Sequence, residues 1–165
     1  MKASNWPKRA ERVSKFIKRG DNVLDLGGNN GFFKETCQGK INKYCVVDMC
    51  PGLNPDYVVD FNTDPYPDIV IDNCVVVCVG LLEYINDPVR FLKEIRKYGE
   101  KLILTYLQIP FQPEWGRFHR YKYVDILKFL EESGWELKHI EPIINSLELI
   151  FICELTTKEG EKDGS

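Results

Sequence analysis

Apolar residues recur along the chain at two spacings, and the alternation between them sets an expected order of elements. Over residues 6–19, Ala10, Val13, Phe16 and Ile17 fall at helical spacing against a largely charged remainder. That predicts an amphipathic helix, stopped at Gly20-Asp21. Residues 22–26 (NVLDL) read as a short apolar strand running directly into Gly27-Gly28-Asn29-Asn30-Gly31. Residues 32–38 suit a short helix with Gly39 as its stop, and residues 44–47 a second buried strand ending at Asp48. Pro51, Gly52 and Pro55 argue against a regular helix over 49–56. Residues 57–61 read as a third strand, 62–68 as loop, and 72–79 as a fourth strand, continuously apolar from Cys74 onward as if buried on both faces.

Asp87-Pro88 opens the best-marked helix, with Asp at the N-cap, Pro at the first helical position, Phe91, Leu92 and Ile95 on one face, and Gly99 beyond its end. Residues 101–107 form a fifth strand. Residues 108–122, holding Pro110, Pro113, Trp115, Gly116 and His119, read as irregular. An amphipathic helix over 123–133 follows, then strands over 135–140 and 147–155 joined by a turn near 142–145. Helices alternating with buried strands imply an α/β fold, a mostly parallel seven-stranded sheet with helices on both faces. The terminal pair, joined by a short turn, should be antiparallel. In such sheets ligands bind at the carboxyl ends of the strands, where strand order reverses. Asp25, Asp48 and Asp60 are expected at or near the ends of the first three strands.

Composition narrows the class. The 165 residues suit one domain, expected over 1–155 with a charged, Gly-rich tail over 156–165 read as disordered. Hydrophobic residues at 44% and charged residues at 28% fit a globular chain. No apolar run approaches the roughly 20 residues of a membrane span, and residues 1–19 lack a signal-peptide core. A cytoplasmic protein is expected. The net charge of −3 argues against a nucleic-acid-coating role. The six cysteines include no C-x-x-C pair. Cys45, Cys74, Cys78 and Cys153 sit in runs of Val and Ile, where reduced Cys acts as a small apolar residue, so no metal is expected.

The glycine loop follows a strand and precedes a helix, as a ligand-cradling turn must. Glycine permits positive φ and close approach of a ligand to the backbone, and Asn tolerates that conformation next best. The dinucleotide spacing G-x-G-x-x-G fails, because Asn29 and Phe32 occupy the second and third glycine positions, and no P-loop Lys-Ser/Thr follows. A tight turn without a ligand is the alternative. Asp48 could accept hydrogen bonds from the vicinal hydroxyls of a ribose, or be a turn aspartate beside Pro51-Gly52. Asp60 could accept from an exocyclic amine.

These segments together resemble the class I S-adenosylmethionine-dependent methyltransferases. VLDLGGNNG (residues 23–31) resembles that family's first motif, and Asp48 falls where its ribose-binding acid falls. VVDFNTDPYPD (58–68) resembles the segment in which Asp60 and Phe61 would flank the adenine. VVVCVGLLEYINDPVRFLKEI (75–95) resembles its strand, Leu-Glu-His and Asp-Pro-helix segment. The resemblance runs over about residues 22–107 and implies a Rossmann-like fold of the methyltransferase type 11/12 kind. Residues 92–110 are distantly similar to the methionine-biosynthesis W-type branch. Asn29 departs from the family's middle glycine, the 49–56 loop replaces a usual helix, and Tyr84 stands where many relatives carry His.

The resemblance implies S-adenosyl-L-methionine as cofactor, S-adenosyl-L-homocysteine as product, and direct displacement of the sulfonium methyl by a substrate nucleophile. It places Asp25, Gly27, Gly28, Asn29, Gly31, Asp48, Met49, Asp60, Phe61, Cys78, Val79 and Gly80 around the cofactor. His119, Glu83 and Tyr84 become catalytic candidates. His119 is the best base by chemistry, with an ordinary loop histidine as the alternative; Glu83 could instead bond backbone groups at the sheet edge. Tyr106, Gln108, Trp115, Arg117 and Arg120 are the substrate candidates, an aromatic and basic wall suited to an anionic small molecule. His139 is expected to be structural. The Asn/Asp-Pro-Pro-aromatic motif of DNA amino-methyltransferases is absent. A small-molecule acceptor with an O or N nucleophile is the expectation. A catalytically silent subunit acting through a protein partner is the alternative, and a nicotinamide-dependent oxidoreductase is disfavoured by the glycine spacing.

Overall fold

The computed structural model describes residues 6–29, 31–107, 119, 121–143 and 147–156. Seven strands build one sheet: β1 (Asn22–Leu26), β2 (Tyr44–Asp48), β3 (Tyr57–Val58), β4 (Cys74–Val79), β5 (Lys101–Leu107), β6 (Trp135–Pro142) and β7 (Glu148–Leu155). Among the described residues, four α-helices accompany them: α1 (Trp6–Ser14), α2 (Phe32–Thr36), α3 (Pro88–Glu94) and α4 (Tyr123–Glu132). The strand order is β3-β2-β1-β4-β5-β7-β6. Strands β1 to β5 pair in parallel, and β7 pairs antiparallel with both β5 and β6. β7 alone therefore runs against the other six. Strand order reverses between β1 and β4, so the chain leaving each of them diverges and opens a crevice at their carboxyl ends.

The period of two in the strands divides the core into two layers. Leu24, Leu26, Val76, Cys78, Leu102 and Leu104 face α3 and α4, meeting Phe91, Leu92, Ile126 and Leu130. Val23, Val75, Val77 and Ile103 face α1 and α2, meeting Ala10, Val13, Phe33 and Cys37. Four cysteines are fully interior and all six are free thiols; Cys37, read only as unpaired, joins the second layer, while Cys45 is half-buried. No helix of the described residues is long and apolar enough to cross a membrane.

Several boundaries differ from the sequence expectation. α1 ends at Ser14 rather than at residue 19, because Lys15, Phe16 and Ile17 donate to the carbonyls three residues back and tighten into turns. Ile17 stays buried in those turns, so the apolar rhythm outlasts the helix. α2 and α4 likewise stop short, at Thr36 and Glu132. β3 holds only two residues instead of five. Beyond Val58 the chain folds back on itself, with Asp64 donating to the Asp60 carbonyl and accepting from the Asp60 amide. Val59 and Phe61 are apolar because they pack off the sheet edge; the Phe61 ring meets Phe91 edge-on at 5.4 Å. Asp60 accordingly lies past the strand. β4 begins at Cys74, after Asn73 takes a left-handed φ of 49°. The last strands differ too: β6 runs on to Pro142 and β7 starts at Glu148. The anticipated turn near 142–145 and the tail lie largely outside the described residues.

Candidate functional site

The glycine loop leaves β1 at the sheet's reversal point. Gly27, Asn29 and Gly31 all take positive φ, at 73°, 48° and 73°, and Asn is the non-glycine residue that tolerates this best. Asn30 lies outside the described residues. A Cβ on Gly28 would stand 2.8 Å from both the Asp25 carboxylate and Val46. The loop is therefore pressed flat against the strand below it.

Asp48, at the end of β2, joins two loops. One carboxylate oxygen accepts from the Asn29 amide and the other from the Cys50 amide, each at 2.9 Å. Each oxygen keeps a lone-pair site. A cavity of about 260 Å³ opens beside it, between the glycine loop, the loop after β2, the Asp60 turn and the chain after β4. Of the proposed cofactor residues, Gly27, Asn29, Asp48, Met49, Asp60, Phe61 and Gly80 line it. Asp25, Gly28, Gly31, Cys78 and Val79 do not. Asp25, Cys78 and Val79 are buried in the strands beneath, and Asp25 supports the loop from below through Gly28. Sequence reasoning missed Cys50, Leu53, Val59, Asn62, Leu81 and Ile85, which also line the cavity. Only proximity to the motifs could have signalled them.

Burial shifts two carboxyls near this cavity. Burial raises the Asp25 carboxyl to a pKa of about 7; the Tyr44 hydroxyl that donates to it opposes the shift, and the Asp48 charge adds to it. Glu83 is only 5% exposed and its carboxyl is also raised, first by burial. The Leu107 amide donates to Glu83 Oε1 at 3.1 Å, the structural role foreseen as the alternative. Its Oε2 is buried with no hydrogen-bond partner among the described residues. Arg9 of α1 lowers the Glu83 pKa and Glu148 of β7 raises it, which places the three at one end of the sheet. Arg9 Nε lies 2.6 and 2.7 Å from the two Glu148 oxygens. Its guanidinium rests on Gly80, where a Cβ would meet Nη1 at 2.5 Å. Nothing in the sequence pattern distinguished Arg9 from the other charged residues of its helix.

Tyr84 lines the cavity and is 48% exposed. Tyr106 is buried: its hydroxyl donates to the His119 carbonyl at 3.1 Å and accepts from the Tyr121 amide at 2.7 Å. It therefore ties the returning chain to β5. His119 stands against the same end of the sheet, its amide donating to the Glu83 carbonyl at 2.7 Å. Gln108, Trp115, Arg117 and Arg120 lie outside the described residues. His139 lies in β6, 3.5 Å from Glu141 and remote from the cavity. No group of His, Cys, Asp and Glu among the described residues could hold a metal ion.

No known sequence family matches the chain, and neither does any curated protein. Solved structures do. An S-adenosylmethionine-dependent methyltransferase from Mesorhizobium loti superposes with a TM-score of 0.69 at 16% identity, over 93% of this chain and 98% of that one. A chain of the complex between the Haloferax volcanii Trm112 methyltransferase activator and a methyltransferase superposes at 0.71, with 15% identity, over 91% and 90%. The [4+2]-cyclase SpnF superposes at 0.71, with 13% identity, over 91% and 80%. The chain has the Rossmann-like fold of S-adenosylmethionine-dependent methyltransferases. At such identities the likeness establishes the fold, and the cyclase shows that this fold hosts more than one chemistry.

Proposed function

We propose that this chain binds S-adenosyl-L-methionine and transfers its methyl group to a small-molecule acceptor. The observation that carries the reading is Asp48, a carboxylate at the end of β2 that bridges Asn29 and Cys50 and borders a cavity. The residues present fit the cofactor. Asp48 has acceptor capacity for vicinal hydroxyls, and Leu53, Phe61 and Ile85 offer apolar surface to a flat base. The Gly27 backbone would border the amino-acid end, together with Gly80. Asp25 acts from beneath, by holding the loop.

The cofactor supplies a methyl already activated by the sulfonium charge, so the protein's part is alignment and proton removal. Asp48, Asp60 and Phe61 orient the bound adenosine. Tyr84 stands at the rim and His119 accepts the acceptor's proton, with Trp115, Arg117, Arg120 and Gln108 proposed as the substrate wall beside Tyr106. The buried Glu83, already bonded to Leu107, holds the chain after β4 in place.

Calorimetry with S-adenosylhomocysteine and with NAD tests the cofactor, and methyl transfer from labelled S-adenosylmethionine to a metabolite pool tests the activity. Binding of NAD with S-adenosylhomocysteine silent overturns the reading. A second reading is a subunit that acts through a protein partner. It is favoured by exposed Val70 (89%) and Val58 (54%) near the β3 edge, and by the activator complex in which a chain of this fold was solved. Cofactor binding without transfer to any acceptor would support it.

A further inference from the structure

His119 is fixed from four sides. Its amide donates to Glu83, its carbonyl accepts from Tyr106, its ring stacks on Tyr121 at 5.8 Å and 15°, and its Nε2 lies 2.9 Å from Asn86 Oδ1. Asn86 is fixed in turn. Its amide donates to Asn62 Oδ1 at 2.8 Å, and Asn62 Nδ2 donates to the Tyr84 carbonyl at 3.0 Å. Asn62 and Tyr84 line the cavity. A run of hydrogen bonds therefore connects the cavity rim to the imidazole through two asparagines.

The direction of the last bond has a chemical consequence. An amide oxygen only accepts, so Nε2 must carry the proton when this bond forms. A neutral imidazole carries one ring proton, which leaves the lone pair on Nδ1. Nδ1 has no hydrogen-bond partner among the described residues. Without Asn86 both tautomers would be populated and the ring would be held only by stacking.

We propose that Asn86 is a positioning residue that holds His119 as its Nε2–H tautomer, making Nδ1 the atom that accepts the proton of the methyl acceptor. This rests on the methyl-transfer reading and narrows the acceptor to one bearing an O–H or N–H that must be lost. The acceptor atom bonds to the methyl carbon, and the carbon–sulfur bond breaks with its electron pair left on sulfur. The acceptor's proton passes to Nδ1, so one sulfonium charge is replaced by one imidazolium charge, which the Asn86 carbonyl stabilises.

The chain has two histidines, so nitrogen-15 spectra of the labelled full-length protein hold two ring systems, assigned with His119→Gln. Above the titration range, His119 is expected to show a protonated Nε2 and the Nδ1 shift of a purely unprotonated nitrogen. Asn86→Ala should move both shifts toward the averaged values of a free imidazole, and Asn86→Asp, which still accepts, should restore them. Turnover in Asn86→Ala should fall by roughly 10-fold or more, within the usual span of acid–base catalysis, with S-adenosylhomocysteine affinity unchanged. An Nδ1–H tautomer, or ring shifts indifferent to Asn86→Ala, overturns the positioning role whatever the activity. The expected shifts with turnover unaffected in both His119→Gln and Asn86→Ala overturn the proton-acceptor role. Failure of S-adenosylhomocysteine to bind while the shifts behave as stated overturns the methyl-transfer reading, and the catalytic half of the proposal with it.

Discussion

Asp25 shows how a single buried carboxyl couples the glycine loop to pH. Its pKa stands at about 7 in the folded chain against an ordinary 3.8. Between those values the native state holds a proton that the unfolded chain has released, so unfolding free energy falls as pH rises. The contribution is complete below about pH 4 and is lost as pH passes 7. Asp25→Asn keeps a side chain that can bond Tyr44 and removes the titration. Urea unfolding from pH 4.5 to 7.5 should therefore show wild type losing on the order of 2–4 kcal/mol relative to the variant; parallel pH profiles would refute the assignment. Asp48 is the complementary case, bonded to two backbone amides and lining the cavity. Asp48→Ala should weaken S-adenosylhomocysteine binding by roughly 1.5–3 kcal/mol, the range for hydrogen bonds to a charged group, in calorimetry on a variant that still folds. Unchanged affinity would leave Asp48 only its role of joining the Asn29 and Cys50 amides.

Among the elements, the junction from α3 to β5 is specified by a cap at one end and a close backbone approach at the other. Asp87 caps α3 by accepting from the Arg90 amide at 3.0 Å, and the helix tightens into a 3₁₀ turn over Ile95–Tyr98 before Gly99. Gly99 has φ −178°, extended backbone open to any residue. Space is what demands glycine there, because a Cβ would overlap the Cys74 carbonyl oxygen at the start of β4. Gly99→Ala should then destabilise by about 1–3 kcal/mol through a forced backbone shift, seen as a lower denaturation midpoint with an unchanged slope. The role foreseen for Gly99, a stop beyond a helix, was right in position and incomplete in cause. Trp135, buried at the start of β6, donates from its indole to the Leu92 carbonyl at 2.9 Å and so fixes α3 against the far edge of the sheet.

Across the whole molecule, the Arg9–Glu148 pair joins the first helix to the last strand. Glu148 is 1% exposed and Arg9 11% at their side chains. Removing the guanidinium strands a buried carboxylate, so Arg9→Ala should cost about 3–5 kcal/mol in chemical unfolding. Arg9→Met with Glu148→Leu should recover most of that loss, because a well-packed apolar pair avoids the desolvation of both charges. A single-variant cost below about 1 kcal/mol would mean that water reaches the pair. The same guanidinium rests on Gly80 at the cavity. Stability of the terminal helix and shape of the site are therefore one question in this fold.

What the sequence by itself determined is what short-range pattern can carry. The runs NVLDL, KLILTYL and CVVVCV are strands because continuous apolar segments of that length bury on both faces of a parallel sheet, and β1 and β5 match their expected bounds. The glycine loop, Asp48 at the end of β2 and the Asp87-Pro88 cap were legible for the same reason: each depends on neighbours within a few positions. Tertiary structure alone decided the rest. β3 shrank to two residues because Phe61 is apolar for Phe91 of α3 and Val59 for the cavity wall, rather than for the sheet. β7 entered between β5 and β6, a choice among pairings that a turn length does not make. Arg9 met Glu148 across 139 positions, and Asn86 met His119 across 33. Such partners are polar residues of ordinary local context. Their roles arise when the packed sheet removes water and leaves each buried or fixed polar group to find its partner within the protein.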